Sequence, residues 1–83
     1  MKSWQGLPPA RVRHACDYIE AALAGQGLPV QAIYAGWDGE VEHILLPIHL
    51  SDEWADRLAL VTGAQVEIRN RAVPHECAVY LRW

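Results

Sequence analysis

The sequence has no phenylalanine, only two cysteines, no long apolar run and no excess of positive charge, and these shortages narrow what the chain can be. Its longest apolar stretch, ILLPIHL, is interrupted by Pro47 and His49. It falls far short of the roughly 18 residues that a membrane span needs. In MKSWQGLPPA no apolar core follows Lys2, so no secretory signal is expected and the compartment is read as cytoplasmic. Cys16 and Cys77 are then expected as reduced thiols, read first as small buried hydrophobes, with a disulfide or reactive thiol as the alternative. Seven basic side chains against ten acidic ones leave a net charge of −3. Sequence-independent nucleic-acid binding needs a basic stripe, so direct contact with nucleic acid is not expected. The glycines are scattered at turns and form no phosphate-cradling loop. Hydroxyl nucleophiles are scarce too: Ser3 lies in the N-terminal arm, Ser51 at a helix start and Thr62 at a helix end.

What is present is a modest apolar supply. Of the 83 residues 52% are hydrophobic, enough for one core. The chain is read as a single domain, 1–83, with 1–7 as a loose N-terminal arm. A chain of this length buries about 60–65% of its unfolded surface.

Periodicity organises the rest. Pro8 and Pro9 open a helix, with Pro9 at the first helical position, where its missing N–H costs nothing. Val12, Ala15, Cys16, Ile19, Ala22 and Leu23 recur at helical steps, and Gly25 and Gly27 are natural stops. Val30–Leu46 reads as a hairpin turning at Asp38-Gly39, with Trp37 beside the tip. Ser51 is expected to cap a second helix, with Asp52 and Glu53 in its first turn where the helix dipole favours them. Thr62-Gly63 ends it. Val66 and Ile68, then Cys77, Val79, Leu81 and Trp83, alternate with polar neighbours as half-buried strands do. Helices are expected near 9–24 and 52–62, and strands near 29–35, 40–47, 64–70 and 77–83. The fold class is α+β, helix–hairpin–helix–hairpin, with a four-stranded, mainly antiparallel sheet and both helices on one face. The two αββ units are similar in length without residue-by-residue similarity. The expected core holds Val12, Cys16, Ile19, Leu23, Leu45, Leu58, Val61, Val66, Ile68, Val79 and Leu81.

Leu7 to Leu23, LPPARVRHACDYIEAAL, resembles the opening helix of arabinose-regulator-type (AraC-type) DNA-binding domains. In that family a second short helix and a recognition helix follow. Here Leu28–Leu46 carries a hairpin signature instead, and no later basic amphipathic helix is available to enter a groove. The resemblance ends with the first helix and carries over no residue role.

Two constellations carry possible chemistry. His14-Ala15-Cys16 and His75-Glu76-Cys77 together have the Cys₂His₂ stoichiometry of a zinc site. On a helix, however, residues two apart point about 200° apart, so His14 and Cys16 cannot share one ion. No metal or other cofactor is expected. His75 beside Cys77 could serve a thiol-dependent enzyme, with no visible third group to orient the histidine. The second constellation is acidic and aromatic. Asp38, Glu40 and Glu42 follow Trp37, with Glu40 and Glu42 read as pointing the same way, about 6.8 Å apart along a strand. No Lys or Arg between Arg13 and Arg57 cancels them in sequence. Asp52, Glu53 and Asp56 crowd the second helix start. Four Trp and three Tyr are lopsided toward interface-forming types.

The expectation is a non-catalytic protein-binding module. It would dock by Trp37 and the acids Asp38, Glu40, Glu42, Asp52, Glu53 and Asp56 onto a basic protein surface. Small acidic domains without catalytic motifs are typical of phage-encoded inhibitors of bacterial defence, anti-CRISPR proteins among them, an analogy of size and charge. The alternatives are a small metal- or thiol-dependent enzyme using His75 and Cys77, and a homodimeric structural module pairing through an open sheet edge.

Overall fold

The structure, a computed structural model, describes residues 9–83, so the expected arm at 1–7 lies outside the described residues. The chain order is α1 (Ala10–Ala24), β1 (Ile33–Trp37), β2 (Glu42–Leu46), α2 (Glu53–Thr62), β3 (Gln65–Arg71) and β4 (Glu76–Arg82). The strands form one sheet in the order β1-β2-β4-β3, and all three pairings are antiparallel. This is the α+β, helix–hairpin–helix–hairpin arrangement that the periods imply. β1 and β2 lie within Leu28–Leu46, where an AraC-type domain would continue in helices.

The strand order gives the two αββ units a relation that their sequences do not show. Each unit's second strand lies at the centre and each first strand at an edge. β2 and β4 pair antiparallel with Ile44 opposite Val79 at the middle of the register. The units are therefore arranged about an approximate twofold through that pair.

The core is one cluster. α1 contributes Val12, Ala15, Cys16, Ile19 and Leu23, α2 contributes Trp54 and Leu58, and the central strands contribute Ile44, Leu46, Cys77, Val79 and Leu81. These strand residues share one parity, so both helices cover the same face of the sheet. On the other face His43, Leu45, Tyr80 and the charges of β3 meet no described element.

Five local expectations are corrected. Leu45 is not a core residue: the buried positions on β2 are Glu42, Ile44 and Leu46. Val61, Val66 and Ile68 are half-buried at the margin of the core. β1 starts at Ile33 and not at 29, because the Ala32 N–H goes to the Glu20 carboxylate of α1, 2.7 Å away, and to no strand partner. Pro9 precedes the helix and does not begin it; its carbonyl accepts from Val12 and Arg13 N–H groups at 2.9 Å. At α2 no side-chain bond caps the first turn, and Ser51 contributes its carbonyl, which accepts from the Trp54 N–H at 3.1 Å. The other end follows expectation. Gly63 adopts φ 78°, a left-handed conformation that favours glycine, and its N–H closes the helix on Ala59.

Candidate aromatic cleft at the end of the sheet

The β1–β2 turn is built by one side chain. Asp38 Oδ1 accepts from the N–H groups of Glu40 and Val41, both at 2.9 Å, and Oδ2 sits 3.0 Å from His43 Nε2. Short acidic side chains close turns by this route. Gly39 takes φ 97° within it. The return strand therefore starts at Glu42, two residues later than expected, and Glu40 belongs to the turn.

These bonds also act on the Asp38 carboxyl. The Val41 N–H, the His43 ring and the Glu40 N–H all favour its charged form and hold it down at about 2, from 3.8. A depressed folded value contributes stability that is fully present above pH 3.8 and is lost as pH falls toward 2. The Glu40 and Val41 amide resonances are expected to titrate in NMR with a midpoint near 2. A midpoint near the ordinary carboxyl value would mean that Asp38 does not close the turn.

A register shift between Tyr34 and Gly36 then aims the tip. It leaves Ala35 unpaired and sets Trp37 opposite Glu42, on the helix-covered face. Gly36, at φ 113°, permits the bulge. Trp37 remains 62% exposed.

Glu42 lies beneath it, 4% exposed and the one buried charged side chain among the described residues. The Tyr34 hydroxyl donates to Oε1 at 2.6 Å, and the Arg11 guanidinium of α1 lies 3.6 Å from Oε2. Burial, then the bond to Glu42, push the Tyr34 phenol up to about 12. Arg11 also stacks on Trp83, its guanidinium carbon 4.2 Å from the ring centre. The Trp83 indole N–H reaches toward the Thr62 carbonyl at the end of α2, at 3.4 Å. Arg82 donates to Glu40 at 2.7 Å. Together Trp37, Trp83, Arg11, Arg82, Glu40 and Glu42 line a cleft of about 310 Å³.

The cleft holds two indoles, two carboxylates and two guanidiniums. Its charges are paired, both Glu42 oxygens are engaged, and neither thiol, imidazole nor hydroxyl lines it. What it offers chemically is aromatic surface with fixed polar groups, which suits recognition. The sequence-expected acids are thus divided. Asp38, Glu40 and Glu42 gather at the tip; Glu40 and Glu42 each pair with an arginine and Asp38 bonds the His43 ring, so two of the three expected rim charges are cancelled there. Glu42 points into the protein and Glu40 away from it. Asp52, Glu53 and Asp56 are exposed at the opposite end of the sheet, where the neighbouring Leu50 exchanges hydrogen bonds with Asn70 of β3 at 3.0 and 2.9 Å. Arg11, Arg82 and Trp83 were missed as members of the cleft. No local signal marks them, because they come from the two ends of the chain.

The histidine–cysteine constellation is dispersed. His14 is exposed on α1 while Cys16 is buried beneath it. His75 stacks on His49 with ring centres 4.0 Å apart, and His49 Nε2 donates to the Arg71 carbonyl at 2.6 Å. Cys77 is in the core. Among the described residues no group of three or more His, Cys, Asp or Glu side chains is placed to hold a metal ion. Burial pushes both thiols up to about 11, with Glu20 adding to Cys16 and Glu76 to Cys77. The thiolate is the reactive form, so both groups are held inert at neutral pH. A disulfide-exchange reagent at pH 8 is expected to label neither thiol in the folded protein and both in denaturant. Prompt labelling of one thiol in the native state would contradict their burial.

Fold and cleft together define a helix-backed antiparallel α+β domain with an aromatic-lined cleft at one end of its sheet. No family model, curated protein or solved structure matches the chain. Among the described residues no helix is long and apolar enough to cross a membrane.

Proposed function

We propose that this chain is a non-catalytic protein-binding module that acts in the cytoplasm as an inhibitor of a nucleic-acid-handling protein complex. Phage-encoded defence inhibitors such as anti-CRISPR proteins are analogues in size and charge. The observation that carries the reading is Trp37: a large indole, 62% exposed, at a tip fixed by Asp38 and by the Arg82–Glu40 pair. An exposed aromatic on a braced turn loses little conformational entropy when a partner covers it. Trp83, 43% exposed across the cleft, extends the apolar surface. Of the expected acids, Asp52, Glu53 and Asp56 are exposed at the far end of the molecule, where they supply attraction toward a basic partner.

Affinity capture from a bacterial lysate, with the immobilised chain compared with its Trp37→Ala variant, tests this directly. A partner retained by the first and lost from the second supports the proposal. Equal retention by both removes the cleft from it.

A further inference from the structure

The sheet has two edges, and they differ. β1 is five residues long, carries the register shift at Ala35 and ends at the cleft. β3 is seven residues long, pairs with β4 without a shift from Gln65 to Arg71, and contains neither proline nor glycine. Its outer side meets no described strand, so a regular row of N–H and C=O groups is presented there.

Charged edge strands commonly resist pairing, because like charges meet across the new ladder. The charges of β3 behave differently. In QVEIRNR, an antiparallel self-pairing about Ile68 sets Glu67 opposite Arg69 of the second copy, twice by symmetry. It also sets Gln65 opposite Arg71 and Ile68 opposite Ile68. Shifting the centre to 67 places Glu67 against Glu67, and shifting it to 69 places Arg69 against Arg69 while setting Glu67 opposite Arg71. Of the three registers, only the one about Ile68 pairs unlike charges without setting like charges opposite one another. Residues of like parity meet in it, so the helix-covered faces of the two sheets stay on the same side.

We propose that two copies of this chain pair through β3, antiparallel about Ile68, joining their sheets into one of eight strands. In the single chain Glu67 and Arg69 satisfy each other along the strand at 2.7 Å, both exposed. In the pair each exchanges that partner for the one across the axis. Val66 and Ile68, half-buried at the edge of the core, become interior. α2 packs on β3, so the two α2 helices come to lie side by side above the axis. Arg57 marks the flank of α2 that faces α1, its guanidinium 5.8 Å from the Tyr18 ring centre. Ala55 and Ala59, each two residues from Arg57, lie about 160° round the helix from it and leave room for a neighbour. The interface is isologous, one patch used twice. It lies on the opposite edge from β1, so it stands or falls separately from the cleft.

A charge-swap series in analytical ultracentrifugation tests it on the whole chain. The unmodified chain is expected to dimerise within the micromolar range. Glu67→Arg alone and Arg69→Glu alone should each weaken the dimer about tenfold or more, because each sets like charges opposite one another. The double swap, Glu67→Arg with Arg69→Glu, should restore it. Mixing the two single variants should yield a heterodimer, since one strand then carries two cations and the other two anions. Both positions are exposed, so thermal melts of all variants should coincide at concentrations where each is monomeric. A chain that stays monomeric to high micromolar concentration overturns the proposal. So does a dimer indifferent to the single swaps, or single variants that fail to pair when mixed.

Discussion

Ile44→Ala is expected to destabilise the protein by about 3 kcal/mol, whereas Leu45→Ala costs less than about 1 kcal/mol. The two residues are neighbours of nearly equal volume on the same central strand. Only their faces differ. Ile44 is fully buried between the helices and the sheet, opposite Val79 at the centre of the β2–β4 register. Truncating it removes several methylenes from a packed site and leaves a cavity that neighbours on two helices and two strands cannot close together. Leu45 faces the uncovered side and is half-exposed. For a domain of this size the first change should lower Tm by roughly 10–20 °C and the second by a few degrees. Denaturant melts of both variants, with unchanged m-values, are the check. Equal losses, or a larger loss at Leu45, would place β2 one residue out of register with the face assigned to it.

Trp37→Ala should do the reverse, leaving stability nearly unchanged while weakening binding. The indole contributes little to the core because most of it is exposed. If it anchors a partner, its removal costs about 2 kcal/mol or more, roughly thirtyfold in affinity. Calorimetric titration against the captured partner, beside a thermal melt, separates the two effects. A lowered Tm with unaltered affinity would show that Trp37 only shields the hairpin. Charge reversal at Glu42 is a poor companion test, since a cation placed beneath Trp37 would lose the Tyr34 bond and be buried beside Arg11. Asp52, Glu53 and Asp56 are the informative positions. Reversed to Lys, they should chiefly slow association and flatten its salt dependence.

Element types and order were legible in the sequence because they rest on local physics. The three- and four-residue recurrence from Val12 to Leu23 makes a helix in any context that can bury one face. Val66 and Ile68 alternate with polar residues as an edge strand does, and Gly63 supplies the left-handed residue that ends α2. Asp38-Gly39 marked the turn, with Trp37 at its tip. The face of β2 was not legible, since Ile44, Leu45 and Leu46 are consecutive apolar residues and either parity makes an apolar stripe. What decided it was tertiary contact: Glu42 turns inward to Tyr34 and Arg11, and Ile44 and Leu46 share its face. The cleft was hidden for a related reason. GWDGEVE reads as an uncancelled acidic stretch because no cation lies near it along the chain. Arg82 is 42 residues from Glu40, and Arg11 reaches Glu42 from the opening helix. Periodicity and turn chemistry act over a few residues and are written in the sequence itself. Charge pairing and aromatic stacking act across space, so which charges survive and which indoles face outward was settled only when Arg11 of α1, Arg82 of β4 and Trp83 after it met beside the β1–β2 turn.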